Sequence, residues 1–233
     1  MVLCYKSGDG VRTFVEPLQA LLEKEEPEWE MILVGNYQKG LADNTPQVVQ
    51  MLADHHPRIK AVARVKEGMM GWDMKTGLEL ATGKVIAVID GDNQMPYADV
   101  LRVYKKLNAD SLDLAKTYRT QRDDGLYRKL ISFVYNMIFN ILFPGLHSRD
   151  INSKPKLFTR EAYSRLDLES DGWFIDAEIM IQARRHHFKV GEIECIFHNL
   201  TDRPSFVKPT AILEFIGNLV VYRLREFGRR NNN

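Results

Sequence analysis

Val85-Ile86-Ala87-Val88-Ile89-Asp90-Gly91-Asp92-Asn93-Gln94 runs five apolar residues into two carboxylates one position apart. A short apolar run rich in valine and isoleucine reads as a strand buried on both faces. Extended side chains alternate, so Asp90 and Asp92 are expected on one side, with only Gly91 between them. Two ionised carboxylates that close repel, and a hard divalent cation such as Mg²⁺ or Mn²⁺, held in part by diphosphate oxygens, offsets the repulsion. Ligands in open α/β sheets bind where the strands' carboxyl ends emerge, which is where this pair lies. The alternative is a polar turn capping a helix opened by Pro96.

Apolar and helical runs alternate around this stretch. Val2–Tyr5, Met31–Val34 and Ile59–Val65 read as short strands. Val11, Phe14, Val15, Leu18, Leu21 and Leu22 follow helical spacing up to Pro27, and a second helix starts at Thr45-Pro46. A third covers roughly 72–81 and stops at Gly83; a fourth runs from about Pro96 to Leu107. Alternation of this kind predicts an α/β fold, a mainly parallel central sheet with helices on both faces. Leu112–Tyr118 and Lys189–Phe197 add strands, Asp150–Arg160 is expected to be extended, and Ser170–His187 to be a loop leading into a helix.

Of the 233 residues 45% are hydrophobic and 27% charged, enough for a sizeable core. A net charge of +1 offers nothing for bulk attraction to nucleic acid. Cys4 and Cys195 make neither a disulfide framework nor a metal cluster. Met1-Val2-Leu3 turns polar by Lys6, so no signal peptide is expected, and no apolar run reaches the ~18–20 residues of a spanning helix. Leu130–Leu146 carries no charge and contains Phe133, Tyr135, Phe139 and Phe143. It reads either as a core helix or as one lying in a membrane interface. The final helix, opened by Pro209, ends in Arg223, Arg225, Arg229 and Arg230; it suits attachment to an anionic surface, or packing on the domain with a solvated basic end.

Taken in order, these segments resemble the family-two glycosyltransferases of GT-A fold, closest to the dolichyl- or polyprenyl-phosphate sugar synthases, from Tyr5 to about Arg225. Asp90-Gly91-Asp92-Asn93-Gln94 resembles the family's Asp-x-Asp-x-Gln, which implies that Asp90, Asp92 and Gln94 ligate Mg²⁺ or Mn²⁺ on the donor diphosphate. Gly68, Gly71 and Gly77 match a glycine-bearing segment where backbone approaches the nucleotide. Arg119, and Arg128 with Ser132 four residues on, match phosphate-holding positions, as does Arg203 in an Arg-x-x-Ser-like stretch. Asp150-Ile151-Asn152-Ser153-Lys154-Pro155-Lys156 resembles Asp-x-x-Ser-Gly-x-Lys with a lysine where glycine is common; it implies a catalytic place for Asp150 near acceptor and sugar. Phe174-Ile175-Asp176-Ala177-Glu178 matches the stretch that brings a carboxylate to the reaction centre, with Glu178 orienting or acting as a base and Asp176 the weaker candidate.

Two departures stand out. The family commonly has Asp-Asp after the second strand, where this chain has Gly35-Asn36; its first strand ends in Tyr5-Lys6-Ser7-Gly8-Asp9 in place of a Pro-x-Tyr-Asn-Glu-like sequence. Tyr5, Asn36 and Gly91 are then expected to face the donor. The resemblance implies a metal-dependent, inverting transferase that moves a sugar from a GDP- or UDP-sugar to a polyprenyl phosphate, with no nucleic-acid partner. It would be cytoplasmic, peripheral at the cytoplasmic face of a membrane, with a transferase domain over 1–207 and an attachment helix over 208–233. Transfer to a glycan or protein hydroxyl, or a catalytically silent binding protein of the same fold, are the alternatives.

Overall fold

The computed structural model describes the backbone of residues 1–122, 126–198 and 210–230, and the side chains of 1–120, 128–198 and 215–226. In chain order the elements are β1 (Val2–Leu3), α1 (Gly10–Glu25), β2 (Met31–Val34), α2 (Thr45–Asp54), β3 (Ile59–Val62), α3 (Met70–Leu78) and β4 (Val85–Asp90). They continue with α4 (Asp99–Ala109), β5 (Leu114–Arg122), α5 (Leu126–Leu142), β6 (Lys156–Thr159), α6 (Arg160–Ser164), α7 (Ile175–Arg185), β7 (Val190–Phe197) and α8 (Thr210–Arg230). The strands form one sheet in the order β3-β2-β1-β4-β6-β5-β7. Only β6 runs against its neighbours; it pairs antiparallel with both β4 and β5, whereas the remaining pairs are parallel.

Strand alternation sorts the core onto the two faces of the sheet. Ile32, Val34, Ile86 and Val88 pack with Met74 and Leu78 of α3, Ile179 of α7 and Tyr135, Phe139 and Phe143. Met31, Leu33 and Ile89 pack on the other face with Phe14 and Val15 of α1 and Val48 and Val49 of α2. Helices therefore cover both faces, as the alternation of strand and helix predicts.

Three elements differ from expectation. β5 does not stop at Tyr118: it runs on to Arg122 because β7 pairs with it as far as Arg122↔Phe197, with a register shift between Arg119 and Gln121. The extended segment expected over Asp150–Arg160 shrinks to four residues, since 150–155 is a turn that carries buried side chains inward. The apolar helix α5 is divided lengthwise. Tyr135, Phe139 and Phe143 are buried, while Leu130, Phe133, Val134, Met137 and Ile141 are exposed on the other side. Tyr135 meets Phe215 of α8 with ring centroids 5.7 Å apart, and Val220, Val221 and Leu224 of α8 are exposed in turn. Among the described residues no helix is long and apolar enough to cross a membrane.

Candidate active site

β4 delivers Asp90 to the carboxyl end of the sheet, with Leu3 of β1 in register beside it. The strand ends there, so Asp92 stands in the turn that follows and not in strand alternation. Gly91 fits this exit closely: its N–H donates to Leu3 O at 2.9 Å, and a Cβ would lie 2.7 Å from the buried Val2 Cγ1. Asp92 Oδ1 accepts the Gln94 N–H at 3.1 Å. Asn93 takes a left-handed φ of 59° and donates to Thr13 Oγ1 at 2.8 Å. Gln94 O accepts the His198 N–H at 2.9 Å, which ties the turn to the end of β7.

Beneath the turn lies a layer of buried charge. Lys154 Nζ donates to Asp90 Oδ2 at 3.2 Å and sits 3.1 Å from Asp176 Oδ2. The second contact is an ion pair without hydrogen-bond alignment, since Asp176 Oδ2 has no hydrogen-bond partner. Lys156 Nζ donates to Asp176 Oδ1 at 2.6 Å. Lys154, Lys156 and Asp176 are all buried. Burial alone would lower the Lys154 pKa, but Asp176 and Asp90 together outweigh it and raise it. Lys156, buried with one carboxylate and repelled by Lys116 and Lys154, is lowered to about 8. Burial would raise Asp176, but its two ammonium neighbours hold it below the usual carboxylate range. Asp176 is thus the counter-ion of two lysines.

Arg119 and Asp150 are brought together. Arg119 Nε and Nη2 clasp Asp150 Oδ2 and Oδ1 at 2.6 and 2.8 Å, a bidentate pair of the strong kind. The loop carrying Asp150 is held from behind by the buried Lys116, which donates to Asp150 O and to Glu192 Oε1. Glu192 also accepts from Ser148 Oγ at 2.6 Å. Asn136 of α5 accepts the Ile151 N–H at 2.9 Å and donates to Ser132 O at 2.8 Å, so Ser132 stands next to the same loop. Arg128 is exposed at the start of α5. Arg203 lies outside the described residues.

Glu178 is fully buried and accepts from the N–H groups of Glu169 and Ser170, both at 2.9 Å, from Tyr222 of α8 at 2.8 Å and from Gln182 Nε2 at 3.4 Å. Both oxygens fasten the start of the 169–172 segment. That segment in turn receives the start of α3, where Gly71 N–H donates to Gly172 O at 2.9 Å. A Cβ on Gly71 would lie 2.2 Å from Ser170 O. A side chain at this position would therefore collide with the backbone of 170–172.

At the ends of β1 and β2 a second cluster forms. Asn36 Oδ1 accepts the Arg64 N–H at 2.8 Å, and its Nδ2 donates to Asp73 Oδ1 at 2.9 Å. Lys66 pairs with the other oxygen of Asp73 and lies 4.2 Å from the centre of the Tyr5 ring. Asp73 of α3, buried, thus has one oxygen on Asn36 and the other on Lys66. Burial pushes Asp73 up and Lys66 down, each opposed by the other. Sequence reasoning missed Asp73, Lys66 and Lys116; for Asp73 and Lys116 the available signal was a charged residue on the buried side of a helix or strand, while Lys66 lies in the loop between β3 and α3. A cavity of about 740 Å³, bounded in part by Met1, Trp29, Glu30 and Thr82, lies at the opposite, amino-terminal end of the strands.

The donor set at the end of β4 fits a hard divalent cation. Asp90 is partly exposed, and among the described residues its Oδ1 accepts no hydrogen bond. No cluster of three His, Cys, Asp or Glu that could hold a metal occurs among the described residues. A cation here would thus complete its shell with oxygens from a bound diphosphate, the usual arrangement for Mg²⁺.

Comparison with known proteins places this geometry in context. A family model described as glycosyl transferase family 2 matches residues 2–166. A dolichyl-phosphate beta-glucosyltransferase of Trichomonas vaginalis is 24% identical, over 94% of this chain and 68% of its own. A second such enzyme of that organism is also 24% identical, over 71% of this chain and 53% of its own. Glycosyltransferase AglD of Haloferax volcanii is 27% identical over 78% of this chain, which spans only 29% of it. Among solved structures, glucosyl-3-phosphoglycerate synthase from Mycobacterium tuberculosis, in complex with Mn²⁺, UDP and glucosyl-3-phosphoglycerate, superposes with a TM-score of 0.73 at 14% identity, covering 95% of this chain and 77% of that one. Mannosyl-3-phosphoglycerate synthase from Rubrobacter xylanophilus gives 0.69 at 17% identity, covering 98% and 74%. The expected GT-A fold is therefore the fold observed.

Proposed function

The chain belongs to glycosyl transferase family 2, and from that premise we propose that this nucleotide-sugar-dependent glycosyltransferase transfers its sugar to a polyprenyl phosphate at a membrane surface, with inversion. The observation that carries the acceptor class is the exposed apolar side of α5 together with that of α8. Leu130, Phe133, Val134, Met137 and Ile141 line one side of α5 and Val220, Val221 and Leu224 one side of α8, with Arg128 and Lys129 exposed at the head of α5. An apolar stripe beside basic residues suits the boundary between head groups and acyl chains. In this reading residues 1–207 form the transferase domain, residues 208–233 an attachment helix, and the protein is peripheral at the cytoplasmic face.

Asp90, Asp92 and Gln94 would hold Mg²⁺ or Mn²⁺, which when bound neutralises charge growing on the departing nucleoside diphosphate. The bond from the anomeric carbon to the diphosphate oxygen breaks and its electron pair leaves with the nucleotide. A bond from the same carbon to an acceptor phosphate oxygen forms on the opposite face. Tyr5, Asn36 and Gly91 border the donor, Asn36 through the carboxylate of Asp73. Arg119, steadied by Asp150, gathers phosphate oxygens together with Arg128, Ser132 and Arg203. An acceptor phosphate is already ionised, so no residue has to remove a proton. A hydroxyl acceptor would need a base, yet Asp176 is paired with two lysines, Asp150 with Arg119, and Glu178 with four donors.

The test is transfer of radiolabelled sugar from GDP- and UDP-sugars to liposomes with and without polyprenyl phosphate, using wild type and Phe133→Asp/Ile141→Asp. Label extracted with the lipid only when polyprenyl phosphate is present, and lost together with liposome flotation in the variant, is expected. Equal transfer to a soluble hydroxyl acceptor without lipid would overturn the acceptor.

A further inference from the structure

A lysine and a glutamate stand side by side in the sheet behind the turn that carries Asp150. We propose that Lys116 and Glu192 are positioning residues: together they set the turn from which Asp150 clasps Arg119, and so aim the guanidinium that Arg119 offers to phosphate. The proposal rests on the reading that Arg119 holds a phosphate of the donor or the acceptor.

Lys116 of β5 and Glu192 of β7 are register partners, so both side chains leave the same face of the sheet. Their ion pair is 3.0 Å long, with side chains 0% and 13% exposed. Apolar side chains of similar size pack at least as well as a buried ion pair, so packing alone does not account for these charges. What they hold does. Lys116 Nζ donates to Asp150 O and to Thr117 O. Glu192 Oε1 accepts from Ser148 Oγ at 2.6 Å, and the Arg149 N–H donates to its two oxygens at 3.2 and 3.1 Å. The pair thus grips residues 148, 149 and 150 in succession, through main-chain or hydroxyl atoms. The Asp150 carboxylate, carried on this turn, meets Arg119 Nε and Nη2 at 2.6 and 2.8 Å. Two parallel N–H···O bonds need their planar groups aligned, so a small displacement of the turn misaligns the clasp while the sheet stays intact.

The experiment measures binding by calorimetry, with UDP and GDP in the presence of Mn²⁺ and with geranyl phosphate as probes. It compares the wild type with Glu192→Gln, Arg119→Lys and the double variant. Glu192→Gln keeps the side chain's shape, but its amide offers one acceptor oxygen in place of two and turns a donor toward Ser148 or Arg149. Asn140 and Asn136 of α5 still hold Ser148 O and the Ile151 N–H, so the variant is expected to fold, which urea unfolding checks. Arg119→Lys keeps a positive charge but loses the two-pronged geometry, and is expected to weaken one probe roughly tenfold. Glu192→Gln is expected to weaken the same probe about fivefold or more, yet by less than about twofold in the Arg119→Lys background. A side chain that serves stability alone would lower affinity by the same factor in both backgrounds, or in neither. Unchanged affinity in folded Glu192→Gln, or equal losses in both backgrounds, overturns the proposal. Ser148→Ala removes one grip and leaves the ion pair; it is expected to repeat the pattern at about threefold, and it decides the matter where Glu192→Gln does not fold. A wild type that binds none of the probes, or Arg119→Lys with every affinity unchanged, overturns the phosphate reading of Arg119 itself, and so separates the two failures.

Discussion

Replacing Asp176 by asparagine strips the negative charge from between two buried ammonium groups. Asp176 is fully buried, with Lys156 at 2.6 Å and Lys154 at 3.1 Å. With Asp90 the cluster holds two positive and two negative charges; Asp176→Asn leaves two positive charges against one. Breaking a buried pair from one side costs about 3–5 kcal/mol, because the orphaned charge stays out of water. Lys156→Met leaves the opposite imbalance and a comparable cost. The double variant retains Lys154 and Asp90, one charge of each sign. Its destabilisation is therefore expected to fall short of the sum of the singles by about 2 kcal/mol or more, within the range found for residues in one network. Urea unfolding followed by circular dichroism measures all four proteins, with equal slopes required for the comparison. Additive costs would refute the closed four-charge set. A stable Asp176→Asn protein lacking only activity would instead return Asp176 to the role of a base.

Two further outcomes follow from the same contacts. Gly91→Ala would press a Cβ to 2.7 Å from Val2 Cγ1 in the core and is expected to cost about 1–3 kcal/mol in urea unfolding; no cost would mean that the exit of β4 is wider than described. Glu30 accepts from Lys60, Thr82 and Gly83; although burial opposes them, these partners lower its carboxyl from 4.5 to about 2. Its contribution is thus complete above the unfolded value and lost as pH falls from about 4.5 to about 2. Glu30→Gln is expected to be less stable by about 1–2 kcal/mol at pH 7, a gap that closes as the pH of the unfolding experiment is lowered; a gap that stays constant would refute the assignment.

β4 and its carboxylates were legible because an apolar run that ends in Asp-x-Asp needs only local pattern to be seen. The alternation of helix and strand was legible for the same reason, and so was the GT-A likeness. α5 was not fully legible: aromatic residues on both of its faces blur the helical period, so core and surface competed as readings when the helix is both at once. Lys154 and Lys156 carry no local sign of burial. Their burial depends on partners far along the chain, such as Asp90, 64 positions from Lys154. The same holds for Asp73, whose partners Asn36 and Lys66 lie on other segments. Glu178 looked like a reacting group because its motif lies near the site, but its partners, the 169–170 amides and Tyr222, are set by tertiary packing.

Calorimetric titration with UDP, GDP and their sugar forms, with and without Mn²⁺, tests the proposed donor site at the end of β4 most directly. Binding of one nucleotide that requires Mn²⁺ and disappears in Asp92→Ala is the predicted result. Failure of every nucleotide to bind the folded wild type, with or without the cation, would contradict it.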